Sequence, residues 1–136
     1  PTWHDREQGK KRGPNFVFVF EIDGLRVAHL GDLGEAPDAA AVAAIGRVDV
    51  LLCPIGGYYT IDADEARKTA NLLGPRVFIP MHYRTKACTI DVLAPIEPLI
   101  HNAVDCSIHR VNGSDVTLTP ASLGEDRILV LDYVKM

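Results

Sequence analysis

The chain has 136 residues, of which 47% are hydrophobic and 24% are charged, and its formal net charge at pH 7 is −4. This length and composition predict one globular domain with its own core, and the acidic balance argues against nucleic-acid binding, which needs a basic face. No stretch approaches the roughly 20 apolar residues that span a membrane. Cys53, Cys88 and Cys106 lack the spacing of a disulfide framework or a thiolate zinc site, so we expect a reducing, cytoplasmic location.

The first predicted elements form a β-hairpin. Residues 15–22 (NFVFVFEI) are rich in Val and Phe and predict a buried strand. Asp23-Gly24 is a strong two-residue hairpin signal. Residues 25–30 (LRVAHL) therefore predict an antiparallel partner strand.

A helix and a second apolar strand follow the hairpin. Residues 38–46 predict a helix, because Asp38 can cap its start, the alanines favour helix and Gly46 can end it. Residues 48–55 (VDVLLCPI) form a continuous apolar run, which is typical of a strand covered on both faces.

The next predicted helix begins with a capping box. Asp62 is placed to cap it, and Glu65 stands three residues further on. The helical pattern ends before Gly74-Pro75, and residues 76–80 (RVFIP) predict a short strand.

The last third of the chain predicts one distorted helix and several short strands. The helix covers about 90–102, with Pro95 and Pro98 expected to bend or split it. The strands are predicted at 107–111, 115–119 and 127–134. Strands that alternate with helices predict an α/β layered domain over residues 1–136.

Possible metal ligands stand close to the ends of predicted strands. Asp32 lies in Gly-Asp-Leu-Gly just after the second strand, His82 follows residues 76–80, and His4 lies in the opening polar segment. Loops at strand ends of an open α/β sheet converge, and His and Asp supply donors that zinc, iron and manganese accept. Each residue alone is more typical of a turn or a surface histidine, but the repeated pattern indicates a metal site.

Four segments together resemble a known family. They are TWHDREQGKKRGPN, GLRVAHLGDLG, VDVLLCPIGGYYTID and VFIPMHYRT. In order and spacing they resemble the C-terminal half of metallo-β-lactamase-fold hydrolases, in particular small metal-dependent hydrolases related to the ascorbate-phosphate lactonases. The resemblance covers residues 1 to 86 well and implies half of an αββα sandwich, in which helices pack on a mixed sheet.

The resemblance also implies a metal centre and a reaction. It implies that His4 binds a first metal, that Asp32 bridges two metals and that His82 binds the second. The implied ions are zinc, or iron or manganese, and a metal-bound hydroxide attacks an ester, lactone, amide or phosphoester bond of a small-molecule substrate. The HxHxDH motif of the family is absent, and in the family it precedes these segments. We therefore expect a hydrolase when that N-terminal half is present, and one ion or none in this chain alone.

Three further residues carry open alternatives, and no catalytic residue is assigned. His29 either orients a ligand or substrate or makes one buried hydrogen bond. Arg12, with Gly13 and Asn15, positions a loop over the site, or Arg12 binds an anionic substrate, or it belongs to a solvated charged loop. Tyr59, in GGYYT, lines the pocket or belongs to a strand-to-helix turn.

Two other functions compete with the hydrolase. The chain could be a metal-free structural or binding half-domain that pairs with its N-terminal half, or with itself, through residues 15–22. A nucleotide-binding domain is disfavoured, because GGYYT lacks both GxGxxG and the P-loop lysine.

Overall fold

A computed structural model describes residues 1–134. Its strands are β1 (Thr2–Trp3), β2 (Pro14–Asn15), β3 (Phe18–Ile22), β4 (Leu25–His29), β5 (Val50–Pro54), β6 (Val77–Met81), β7 (Ser107–Arg110) and β8 (Arg127–Val130). Its α-helices are α1 (Ala39–Ile45), α2 (Ala63–Leu73) and α3 (Glu97–Asn102), and Pro120–Ser122 form a 3₁₀ turn. No helix within residues 1–134 is long and apolar enough to cross a membrane.

The strands form one large mixed sheet and one small ribbon. The large sheet has the order β3-β4-β5-β6-β8-β7, in which β3 and β4 are antiparallel and all other neighbours are parallel. The ribbon pairs β1 with β2. The predicted α/β class, with helices packed on a mixed sheet, is confirmed.

The hairpin between β3 and β4 forms as predicted. Asp23 and Gly24 both have positive φ, 49° and 81°, which matches the two-residue turns that follow the twist of antiparallel strands. The pairing Ile22↔Leu25 closes the strands directly on either side of this turn.

Both predicted helix starts are also confirmed. The Asp38 carboxylate accepts a backbone hydrogen bond from the first turn of α1, and that helix ends at Gly46. Asp62 and Glu65 form the reciprocal capping box of α2, and Gly74 ends that helix in the left-handed conformation with φ 62°. These contacts fix where each helix leaves the sheet edge.

One face of the large sheet is covered by helices and holds the main core. We call this the helix-covered face. Its fully buried side chains include Leu51 and Phe78 from the sheet and Leu73 and Leu99 from the helices. Burying a side chain of this kind contributes about 2–3 kcal/mol to folding, so this face accounts for much of the stability.

The other face is open where β3 forms the edge of the sheet. The prediction that residues 15–22 are buried is wrong, because Phe18, Phe20 and Ile22 are 53%, 45% and 55% exposed. Alternate residues of a strand share one face, so these three side chains form an apolar stripe. We call this stripe the open face. On the same side of the sheet a smaller buried cluster around Leu123 reaches from β8 and β6 to Val50 of β5 and Leu25 of β4, so the exposed stripe is confined to β3.

Three predicted elements are shorter than expected or absent. The predicted helix over 90–102 is formed only by α3, because Pro95 lacks an amide hydrogen and Pro98 fits only the first turn. Residues 115–119 form no strand, and the last strand ends at Val130 instead of continuing through 134.

Candidate metal centre

The carboxyl ends of three neighbouring parallel strands carry the candidate residues. β4, β5 and β6 pair in parallel, so the loops that follow them lie side by side at one edge of the sheet. Asp32 lies in the loop after β4, Tyr59 in the loop after β5, and His82 directly after β6. This is the edge at which open α/β sheets bind ligands.

Asp32 and His82 are brought into contact at this edge. The distance from His82 Nδ1 to Asp32 Oδ1 is 3.1 Å, and the two side chains are 42% and 51% exposed. His82 has a φ of 56°, an uncommon conformation for a residue with a side chain. A carboxylate and an imidazole that meet in a solvent-accessible position can bind one metal ion together.

Asn15 holds the loop that carries Asp32. Its side-chain amide donates to the backbone oxygen of Leu30 and to Thr2 Oγ1, at 2.9 and 2.8 Å, and its Oδ1 accepts from the backbone N–H of Asp32 at 2.8 Å. The side chain is 7% exposed. That Asn15 positions a loop over the site is one of the alternatives drawn from the sequence, while its partners depend on the β1–β2 ribbon lying beside the end of β4.

His4 reaches the same edge through its backbone. A side chain at Gly34 would overlap the backbone of His4, so the loop after Asp32 and the N-terminal segment are in close contact. The His4 Nε2 atom is buried and has no hydrogen-bond partner. A buried ring nitrogen without a partner is costly, and coordination of a metal would satisfy it.

The three predicted ligands do not form a complete site by themselves. Within residues 1–134, no three His, Cys, Asp or Glu side chains lie close enough together to hold a metal ion. The structure pairs Asp32 with His82, and the buried His4 Nε2 has no hydrogen-bond partner. This donor set fits a metal that further ligands also bind, and the assignment of all three residues to it stays a prediction.

Asp5, directly after His4, organises the N-terminal segment. It is 3% exposed, and its carboxylate accepts backbone hydrogen bonds at 2.7–3.0 Å from Glu7, Gly9, Lys11 and Arg12. Burial acts to raise the pKa of Asp5, but the four donors outweigh it and leave the pKa below the ordinary value of 3.8. Sequence reasoning missed this anchor, because one acidic residue in a charged segment gives no signal of it.

The structure also brings Arg12 and Tyr59 together. The Arg12 guanidinium carbon lies 5.2 Å from the centre of the Tyr59 ring and 5.8 Å from that of Tyr58. The backbone of Gly56, at the start of the same loop, is so close to the backbone oxygen of His82 that a side chain there would overlap it. Arg12 therefore packs on a loop whose first residue contacts the backbone of His82.

His29 makes one local hydrogen bond. Its Nδ1 accepts from the backbone N–H of Gly31 at 3.0 Å, and its strand position pairs with Phe18 on the open-face side of the sheet. The bond is partly buried, whereas the structural alternative for His29 expected a buried one. A role of His29 towards substrate stays a prediction.

Comparison with known protein families shows to which family the chain belongs. Residues 1–82 match the family described as the β-lactamase superfamily domain. This match covers more than half of the chain, and the chain therefore belongs to that family. The resemblance to metallo-β-lactamase-fold proteins is confirmed, and the matched range ends at the predicted ligand His82.

Relatives of known sequence carry names that describe metal-dependent hydrolases. A protein from Thermococcus onnurineus is 39% identical over 87 residues, and one from Pyrococcus furiosus is 40% identical over 87 residues; both are named UPF0173 metal-dependent hydrolase. Each alignment covers 62% of this chain and 39% of the relative. The chain thus spans well under half of the length of these relatives.

A solved structure confirms the fold. A protein of the metallo-β-lactamase superfamily from Thermotoga maritima superposes with a TM-score of 0.76 at 42% identity, over 88% of this chain and 59% of its own. Igni18, a metallo hydrolase from Ignicoccus hospitalis, superposes with a TM-score of 0.53 at 28% identity, over 74% of this chain and 43% of its own. The sheet and helices described above are therefore a metallo-β-lactamase-type arrangement.

Proposed function

We propose that this chain is part of a metal-dependent hydrolase that cleaves an ester, lactone, amide or phosphoester bond in a small molecule. The observation that carries the proposal is the contact of Asp32 with His82, at 3.1 Å, where parallel strands end. The unpartnered, buried Nε2 atom of His4 supports it, as do the names of the relatives.

The proposed roles follow from the chemistry of each side chain. Asp32 would bind the metal through carboxylate oxygen, and His4 and His82 through imidazole nitrogen, with zinc, iron or manganese as suitable ions. Such an ion, when bound, lowers the pKa of water and stabilises the negative charge that develops during hydrolysis. Asn15 keeps the backbone of Asp32 in place, and its role is comparable to the outer contacts that orient ligands in metal sites.

Metal analysis of variants tests the ligand assignment. We expect the purified chain to retain zinc after dialysis and the Asp32→Ala and His82→Ala variants to bind it at least ~10-fold more weakly. His109→Ala is the matched control, because this histidine is exposed on β7, away from the candidate centre. Equal zinc binding by wild type, Asp32→Ala and His82→Ala would contradict the assignment.

A hydrolysis screen tests the reaction. Chromogenic esters, lactones and phosphoesters would be incubated with the protein that carries this chain together with the covering layer proposed below, with and without a chelator. We expect chelation and Asp32→Ala to abolish the same activity, while His109→Ala retains it. An activity that survives both chelation and Asp32→Ala would contradict metal-dependent hydrolysis at this site.

We also propose that the partner of this chain is a polypeptide layer that covers the open face and supplies the remaining metal ligands. The exposed side chains of Phe18, Phe20 and Ile22 support this, because contiguous apolar surface marks an interface. The incomplete ligand set within residues 1–134 supports it too. The layer would correspond to the N-terminal part of the longer relatives.

Binding of a hydrophobic dye tests the proposed interface. We expect the isolated chain to bind the dye or to self-associate, and Phe20→Ser to reduce both effects. Val104→Ser is the matched control, because Val104 is 91% exposed and lies far along the chain from β3. A monomer that binds no dye would contradict an interface here.

Cys53, Cys88 and Cys106 are all free, which supports the cytoplasmic location that we also propose.

A further inference from the structure

Arg12 is held against an aromatic pair in the loop after β5, and it lines a cavity with that pair and with Asp5. Its guanidinium carbon lies 5.8 and 5.2 Å from the ring centres of Tyr58 and Tyr59, and the two rings meet edge to face with centres 4.8 Å apart. Stacking of this kind restricts a guanidinium while leaving its N–H groups free to donate. The Arg12 head group is therefore positioned at the tyrosine pair.

The charge of Arg12 is not neutralised, whereas those of two neighbours are. Arg6 forms an ion pair with Glu65 at 2.7 Å, and Lys11 pairs with Glu7 at 2.5 Å. Within residues 1–134, Arg12 has no acidic side chain within ion-pair distance. It keeps five N–H donors in a planar fork that matches two oxygens of a carboxylate or phosphate.

The backbone of Arg12 is also fixed. Its N–H donates to Asp5 Oδ2 at 2.7 Å, in the buried network that closes the segment after His4. Arg12 is thus held from both sides, through Asp5 next to His4 and through the tyrosine loop next to His82. An arginine that is fixed relative to two predicted metal ligands is suited to orient a substrate.

We propose that Arg12, supported by Tyr58 and Tyr59, binds an oxyanion carried by the substrate, a carboxylate or a phosphate group. This inference rests on the proposed hydrolase function and narrows its substrates to anionic ones. Arg12 is a specificity-determining residue: it contacts the anionic group and takes no part in breaking the bond.

Binding is tested first, with inorganic phosphate as the probe. The chain is titrated with phosphate at constant ionic strength while the Arg12 Nε–H signal is followed by NMR. In wild type we expect saturable shifts of this signal and of the Tyr58 and Tyr59 amide signals. Arg12→Met has no Nε–H, and its Tyr58 and Tyr59 amide signals should show no saturable shift. Lys10→Met removes the same charge from an exposed position in the same segment and should leave the wild-type response intact.

Phosphate binding that is equal in wild type and Arg12→Met, or absent from wild type, would overturn the proposal. Arg12→Lys provides a second check, because lysine keeps the charge but lacks the planar fork. We expect it to bind phosphate more weakly than wild type and more tightly than Arg12→Met.

Turnover separates this inference from the proposed function. The substrates are p-nitrophenyl acetate, which is neutral, and mono-p-nitrophenyl succinate, which carries a carboxylate. We expect Arg12→Met to raise KM for the succinate about tenfold and to leave both kcat and the acetate reaction unchanged. An equal rise in KM for both esters would overturn the proposal. If phosphate binds through Arg12 but the protein that includes the covering layer cleaves neither ester nor any bond in the hydrolysis screen, the hydrolase proposal fails while the anion site stands.

Discussion

The two faces of the large sheet differ in what stabilises them. On the helix-covered face, apolar side chains such as Leu51 and Phe78 are almost completely buried, and capped helices hold them in place. On the open face, Phe18 and Phe20 are aromatic but about half exposed, with their rings stacked 6.2 Å apart. Both faces have apolar sequences, yet within residues 1–134 the stripe of β3 on the second face is left exposed.

The difference shows that apolar content alone does not determine burial. A strand buries a face only where another layer packs on it. The candidate metal centre has a parallel property, because Asp32 and His82 meet while no third ligand joins them within residues 1–134. The open face and the partial ligand set both support the proposal that a further polypeptide layer covers β3 and adds metal ligands.

The largest difference in the free energy of unfolding is expected between two variants, each of which truncates one aromatic residue on one face. Phe78→Ala should lower the free energy of unfolding by about 3–5 kcal/mol, because it leaves a cavity in the helix-covered core. Phe20→Ala should cost only about 1 kcal/mol, because its ring is already half exposed. Urea denaturation of both variants measures the difference. Equal costs would show that the open face is covered in solution.

The next largest loss of stability is expected from Gly34→Ala. The added methyl group would overlap the backbone of His4, and such overpacking costs about 1–3 kcal/mol. Gly113→Ala is the matched control, since nothing lies within 4 Å of a side chain at that position. Urea denaturation gives the stability, and zinc binding shows whether His4 has moved. If Gly34→Ala matches its control in both, the N-terminal segment does not pack as described.

Features that depend on neighbours in the chain could be predicted from the sequence. The hairpin turn at Asp23-Gly24 and the capping box of Asp62 and Glu65 need only residues within a few positions of each other, and the structure contains both. The approach of Asp32 to His82 could also be predicted, because parallel neighbouring strands place their ends together.

Features that depend on distant parts of the fold could not be predicted. The exposure of Phe18 depends on whether another layer covers β3, and the roles of Asp5 and Asn15 depend on how the N-terminal segment folds back.

A moderate loss of stability is expected from removing a helix cap on the helix-covered face. Asp62→Ala should lower the free energy of unfolding by about 1 kcal/mol, because it leaves a backbone N–H of α2 without its acceptor. Asp38→Ala, at the start of the shorter α1, provides the comparison. Urea denaturation measures both. A cost near zero for Asp62→Ala would mean that packing against the sheet, and not the capping box, fixes the start of α2.

The smallest effect on global stability is expected at Asp5, because the segment that it organises lies outside the large sheet. The pKa of Asp5 is below the ordinary carboxyl value. The stability that its carboxylate contributes is therefore fully present above the pKa of the unfolded chain, and it is lost as pH falls through the lowered pKa. The amide proton signals of Glu7, Gly9, Lys11 and Arg12 should therefore titrate together in acid. In Asp5→Asn they should be shifted at every pH and show no such titration. Four amides that titrate at the ordinary carboxyl pKa, or independently of one another, would mean that Asp5 does not anchor the segment from which Arg12 extends.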